Sequence, residues 1–188
     1  MEAIAFVLGV INVTLVVRRS VWNYPVALVM VALYAVIFRD ARLYSDMLLQ
    51  GFFFVVNIYG WIGWVAARAR MGEIVVETMP IASRMRWGTG CVIATLAWGA
   101  GMARFTDASL PWWDAGVAVT SVAAQILLAQ RRIENWLLWI AVDVASIGLY
   151  AVKGLWLTMI LYLVFLVLAI WGLIDWRRVA RRQSARSA

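Results

Sequence analysis

Histidine is absent from this 188-residue sequence, and Cys91 is its single cysteine. A disulfide framework within the chain is therefore excluded, no CxxC or zinc spacing exists, and a haem or transition-metal site lacks its usual ligands. The commonest general base is missing as well, and no GxGxxG, GxxxxGK, HExxH or GxSxG pattern occurs, so neither an enzyme nor a self-contained nucleotide-driven pump is indicated. No cofactor is expected. Charge is scarce too: 14% of residues are Asp, Glu, Lys or Arg.

What remains is apolar. Hydrophobic residues make up 65% of the chain, more than the core of a soluble domain of this size can use. They fall in repeated runs close to the roughly 20 residues that a helix needs to cross about 30 Å of hydrocarbon. The expected class is all-α, a polytopic membrane protein with seven transmembrane helices. The spans predicted are Ala3 to Val17, Val21 to Phe38, Met47 to Ala67, Trp87 to Ala103, Pro111 to Ala129, Trp136 to Val152 and Leu155 to Trp176. Met1 to Val17 carries Glu2 and ends before Arg18 and Arg19, so it reads as a retained first helix rather than a cleaved leader.

The net charge of +7 comes from short arginine runs between apolar segments, which suits a membrane surface and not nucleic acid. With the amino end outside, the inside segments hold 13 of the Arg and Lys residues and the outside segments 4. That asymmetry places the carboxyl end in the cytoplasm. The basic run Arg177 to Arg186 is then a positive-inside anchor. Tryptophans near span ends, among them Trp22, Trp64, Trp112, Trp136 and Trp176, suit the headgroup region and serve as interface anchors or packing groups. The stretch 68–86, with Glu73, Glu77 and Pro80, reads as a surface loop able to hold a short interfacial helix.

An internal repeat is visible. Trp22-Asn23-Tyr24-Pro25 opens one span and Asn135-Trp136 another; the following spans end in Tyr59 to Trp64 and Trp171 to Trp176. Pairing Tyr34 with Tyr150 gives an offset of 116, and pairing Trp64 with Trp176 gives 112. The organisation expected is a first three-helix repeat over 1–67, a cytoplasmic loop over 68–86, a linker helix over 87–103, a second repeat over 104–176 and a basic tail over 177–188. An odd linker lets both repeats keep one orientation, as in transporters whose halves are related by an axis along the membrane normal.

Polar residues inside these helices mark the candidate site. Asp46, Gln50, Phe54, Asn57, Trp61 and Trp64 recur at steps of three or four and share a helical face. Amides such as Gln50 and Asn57 can bind a neutral polar solute or tie helices together, and are costly against lipid. Trp136, Trp139, Asp143, Ser146 and Tyr150 form a second such face. Asp143, deep in an apolar span, needs a partner, a proton or water. It either supports neighbouring polar groups or meets solute directly. Trp136 and Trp139 can stack on a planar or cationic ring. Asn12 and Asn23 are further pore-facing candidates, and Thr158, Tyr162 and Phe165 form a stripe that lines the passage or seals the repeat interface.

The blocks Trp22 to Pro25, Tyr44 to Gln50 and Asn57 to Trp61, followed by Asn135, Trp136, Trp139, Asp143, Tyr150, Gly154, Leu155, Thr158 and Tyr162, resemble bacterial PnuC-type nicotinamide riboside transporters. The resemblance implies a SWEET-like fold in a three-one-three helix arrangement, a homotrimer, and facilitated diffusion of nicotinamide riboside through the inner membrane. A separate cytoplasmic riboside kinase would trap the solute. It also implies that Trp136 and Trp139 recognise the nicotinamide ring, with Gln50 and Asn57 as polar contacts and Asn135 and Asp143 in the same site. The residues alone also admit another vitamin or nucleoside, such as thiamine, or a membrane scaffold that transports nothing.

Overall fold

The computed structural model describes residues 2–40, 44–106, 109–152, 154 and 156–187. These residues form seven helices: α1 Glu2–Val17, α2 Asn23–Asp40, α3 Tyr44–Met71, α4 Ile81–Phe105, α5 Pro111–Ala129, α6 Glu134–Val152 and α7 Trp156–Ser187. Local signals set several ends. Pro80 directly precedes α4 and Pro111 opens α5, where its missing N–H and fixed φ cost nothing. Gly72, at φ 74°, closes α3 with its N–H on the Arg68 carbonyl.

Among the described residues, six helices close into a ring. Going round it, α1 touches α2, α2 touches α3, α3 touches α5, α5 touches α6, α6 touches α7, and α7 returns to α1. Helix α4 packs on α5 alone, outside the ring. Outward faces carry Val29, Val55, Ile62, Val92, Ile93 and Val167, all exposed. So much apolar surface is unsuited to water and suits lipid.

Leu49–Met71, Pro111–Ala129, Glu134–Val152 and Thr158–Ala185 are each long and apolar enough to cross a bilayer, and Phe6–Val17 and Asn23–Val36 are shorter apolar helices. Helix α4 has the length, but Arg84, Arg86, Arg104 and four glycines dilute its apolar run.

Three expectations need adjusting. The stretch 68–86 shrinks to 72–80, because α3 runs on to Met71 and α4 begins at Ile81, six residues before Trp87. No interfacial helix forms there: Glu77 instead makes a backbone bridge to the turn between α5 and α6, its N–H on the Arg131 carbonyl (3.1 Å) and its carbonyl on the Ile133 N–H (3.0 Å). The basic tail is helical, since loss of apolarity after Trp176 ends the apolar span but not the helix.

Local motifs recur 112 positions apart throughout. Asn23 and Asn135 each donate their side-chain amide to the carbonyl three residues earlier, Ser20 (2.7 Å) and Arg132 (2.5 Å). Arg19 and Arg131 both take positive φ, 54° and 61°. Tyr24 lies against Gly60 as Trp136 lies against Gly172. The offset of 116 at Tyr34 and Tyr150 is therefore one turn out of register; Tyr34 corresponds to Ser146.

Candidate functional site

Two layers fill the ring. Near the ends of α1 and α5, an aromatic layer joins Tyr24, Trp64, Trp136 and Trp176. Trp64 lies 5.4 Å from Tyr24 and 5.9 Å from Trp176, and Trp136 meets Trp176 edge-on at 5.5 Å. Edge-to-face arrangement suits the ring quadrupoles. Val16, Val17, Leu128, Ile133, Ile74 and Val76 complete this core, and Trp139 packs partly buried against it. Trp64, Trp136 and Trp176 are therefore packing groups, while Trp22, Trp112 and Trp156 are among the exposed rings.

The polar layer lies deeper. Asn57 is seven residues before Trp64 and Asp143 seven after Trp136, each about 10 Å along its helix from the aromatic layer. Asn57, 3% exposed, donates its amide to the Phe53 carbonyl (2.9 Å) and accepts from the Gln125 amide across the α3–α5 seam (3.0 Å). Asp143 is buried on α6. Tyr162 of α7 packs against the stretch of α6 that carries Asp143, Ser146 and Tyr150. Tyr150 stacks on Tyr162 at 5.3 Å, and Tyr162 meets Phe165 edge-on at 5.9 Å. Phe165 in turn fills the space beside Gly9 of α1, where an added Cβ would lie 2.9 Å from its ring. The interior of the ring thus offers two amides, a carboxylate, a hydroxyl and two phenols.

The sequence-predicted residues divide accordingly. Asn57, Asp143, Tyr150 and Tyr162 share the polar layer, Gln50 is half-buried two turns from Asn57, and Thr158 is half-buried one turn before Tyr162. Trp136 is committed to the aromatic layer. Asn23 and Asn135 pin turns at that same end, and Asn12 donates to the Asn23 carbonyl (2.7 Å). Phe54 and Trp61 diverge from the buried line through Asn57, Gly60 and Trp64, being 39% and 36% exposed. The buried face of α3 is narrower than its sequence stripe. The side chain of Asp46 lies outside the described residues. Gln125 escaped sequence reasoning: it is a lone amide in the apolar run of α5, and its only signal was the cost of leaving such a group against lipid.

A closed ring of helices with broad apolar outer faces and buried polar side chains in its interior defines a multi-pass membrane protein of the solute-carrying kind. The sequence profile of the nicotinamide mononucleotide transporter family matches residues 1–178. The chain belongs to that family.

Among relatives, it is 27% identical to the nicotinamide riboside transporter PnuC of Escherichia coli strain K12, over 99% of this chain and 88% of that protein. It is 26% identical to the riboflavin/roseoflavin transporter RibM of Streptomyces davaonensis, over 97% of this chain and 87% of that one. The crystal structure of the vitamin B3 transporter PnuC superposes with a TM-score of 0.76 at 26% identity, covering 95% of this chain and 80% of that one.

Proposed function

We propose that the protein carries nicotinamide riboside across the bacterial inner membrane by facilitated diffusion. The observation that carries this is the burial, within one ring of helices, of the Asp143 carboxylate and of the hydrogen-bonded amides Asn57 and Gln125. Riboside is a pyridinium cation bearing ribose hydroxyls. A buried carboxylate complements the cation, amides match the hydroxyls, and Trp139 offers a ring face at one wall. Gln50 extends the amide set. Trp136 and Asn135 form the layer beneath and hold that wall in place.

The family's name raises a phosphorylated solute and one relative's name raises a flavin. A phosphate beside Asp143 would meet like charge, and the polar layer contains no Arg or Lys among the described residues. Competition binding with riboside, its mononucleotide and riboflavin separates the three. Riboside is expected to bind at least about tenfold more tightly than either rival, a gap of about 1.4 kcal/mol. Tighter mononucleotide binding would refute the assignment.

Trp139 supplies the most local test. Trp139→Ala removes an aromatic contact of about 0.5–1.5 kcal/mol beyond area burial, so binding is expected to weaken several-fold, with Trp139→Phe retaining more. Unaltered riboside affinity in a stable Trp139→Ala protein would remove the residue from the site.

The recurrence at 112 residues supports a three-one-three organisation, with α1–α3 and α5–α7 as parallel repeats and α4 as linker. Helix α4, outside the ring, leaves an apolar face for neighbouring copies in a homotrimer. With the amino end outside and the carboxyl end inside, the aromatic layer faces the cytoplasm, where a separate kinase traps the riboside. A cysteine placed at residue 2 of a Cys91→Ser protein should react with an impermeant thiol reagent from outside, and one at residue 186 only from inside. Labelling of both ends from one side would contradict this orientation.

A further inference from the structure

At the layer assigned to the cytoplasmic side, the last helix of each half grips the end of the other half's first helix. The Trp176 indole of α7 donates to the Val16 and Val17 carbonyls ending α1 (3.3 and 3.2 Å), and the Trp64 indole of α3 donates to Leu128 near the end of α5 (3.3 Å). The arginines at positive φ extend each grip. Arg19 pairs with Asp175 of α7, and Arg131 donates to the Gly63 carbonyl of α3 (3.3 Å). These contacts seal the ring across both of its seams, α1–α7 and α3–α5.

The two seams are not equally fastened. The segment 72–80 is bound to the α5–α6 turn by the backbone bridge at Glu77, and the Glu77 carboxylate also pairs with Arg131 (3.7 Å) and Arg132 (2.8 Å). Further along, Met79 donates its N–H to Glu134 (3.0 Å). The same segment is held to α7, where Gln183 exchanges hydrogen bonds with Val76 (3.1 Å) and Ile74 (3.2 Å). Ile74, Val76 and Met79 are buried. Since the segment continues directly from α3, it staples α3, the α5–α6 turn and α7 together. Among the described residues the α1–α2 turn has no such strap: the Arg19 ion pair ties it to α7, beside the Trp176 indole on the end of α1.

We infer that the cytoplasmic exit opens at the α1–α7 seam, by release of the Arg19–Asp175 and Trp176 contacts, while the strapped α3–α5 seam stays closed. This rests on the transport reading and orientation given above. Rocking of packed helices between two discrete arrangements should separate the seam with the fewest fastenings.

In the Cys91→Ser background, a short bifunctional thiol reagent is used to bridge either Arg19→Cys/Asp175→Cys or Glu77→Cys/Arg132→Cys, each through a cleavable disulfide. Bridging 19 to 175 is expected to slow riboside equilibration more than about tenfold, with recovery on reduction, whereas bridging 77 to 132 leaves the rate within about twofold. Undiminished transport through the 19–175 bridge, or arrest by the 77–132 bridge, overturns the inference.

A second readout needs no transport. Asp175→Asn is expected to raise hydrogen exchange at amides 18–24 and leave 130–136 unchanged; the reverse order, or no change at 18–24, also overturns it. Absence of riboside transport in the unbridged parent would count against the functional reading, and the exchange pattern would still decide the seam.

Discussion

Gly172→Ala is expected to destabilise the protein more than any other single methyl addition considered. A Cβ at this position would lie 2.5 Å from Trp136 Cη2 and Cζ2 and 2.6 Å from Cε2. The indole has little room to shift, because it is fully buried and already packs edge-on against Trp176. Overpacking of this kind costs about 1–3 kcal/mol, and detergent-solubilised variant should unfold at lower temperature than wild type. Gly51→Ala is the control: nothing lies within 4 Å of its added Cβ, and the better helix propensity of alanine makes it neutral or slightly stabilising. Adding Trp136→Phe to Gly172→Ala should recover part of the loss by shortening the opposing ring. Equal thermal stability of Gly172→Ala and Gly51→Ala would show that the aromatic layer does not depend on this close approach.

The second large effect concerns the amide pair. Asn57→Leu should abolish measurable riboside binding, since it removes a donor and acceptor and leaves the buried Gln125 amide unsatisfied, a cost of about 1–3 kcal/mol. The double variant Asn57→Leu/Gln125→Leu distinguishes recognition from helix-to-helix adhesion. Replacing both partners with apolar groups should restore thermal stability, because no buried amide is then orphaned. If the pair binds solute, the double variant stays folded and still fails to bind. Recovery of binding together with stability would reduce the pair to a structural tie across the α3–α5 seam.

Much of this architecture was legible because hydrophobic run length is a direct response to a bilayer: each of the seven apolar stretches became a helix. Asn57 and Asp143 were legible for the same reason, as polar groups too costly to leave against lipid, and Tyr150 and Tyr162 by their place on helical stripes. The tryptophans were not. Trp136 looks like an interface anchor or a ring-stacking group by position, and only the opposing Gly172, reached through tertiary packing, reveals its place in the aromatic layer.

Gln125 hydrogen-bonds a residue 68 positions away. Its counterpart in the repeat is Val13, so neither helical periodicity nor internal symmetry pointed to it. The packing of segment 72–80 was hidden for a further reason: Glu73, Glu77 and Pro80 suggest no more than a surface loop. Ile74 and Val76 are buried with two-residue spacing because the backbone is extended, and Glu77 is neutralised by arginines from a distant turn.

Carriage without energy coupling is tested most directly with purified protein in sealed vesicles that contain no kinase. Labelled nicotinamide riboside should enter faster than into protein-free vesicles, saturate with concentration, and level off at the external concentration whether or not a sodium or proton gradient is imposed. Enclosing a riboside kinase with ATP should then drive continued uptake of label as phosphorylated product. Riboside rising above the external concentration in kinase-free vesicles under an ion gradient, or entry no faster than into protein-free vesicles, would contradict the account.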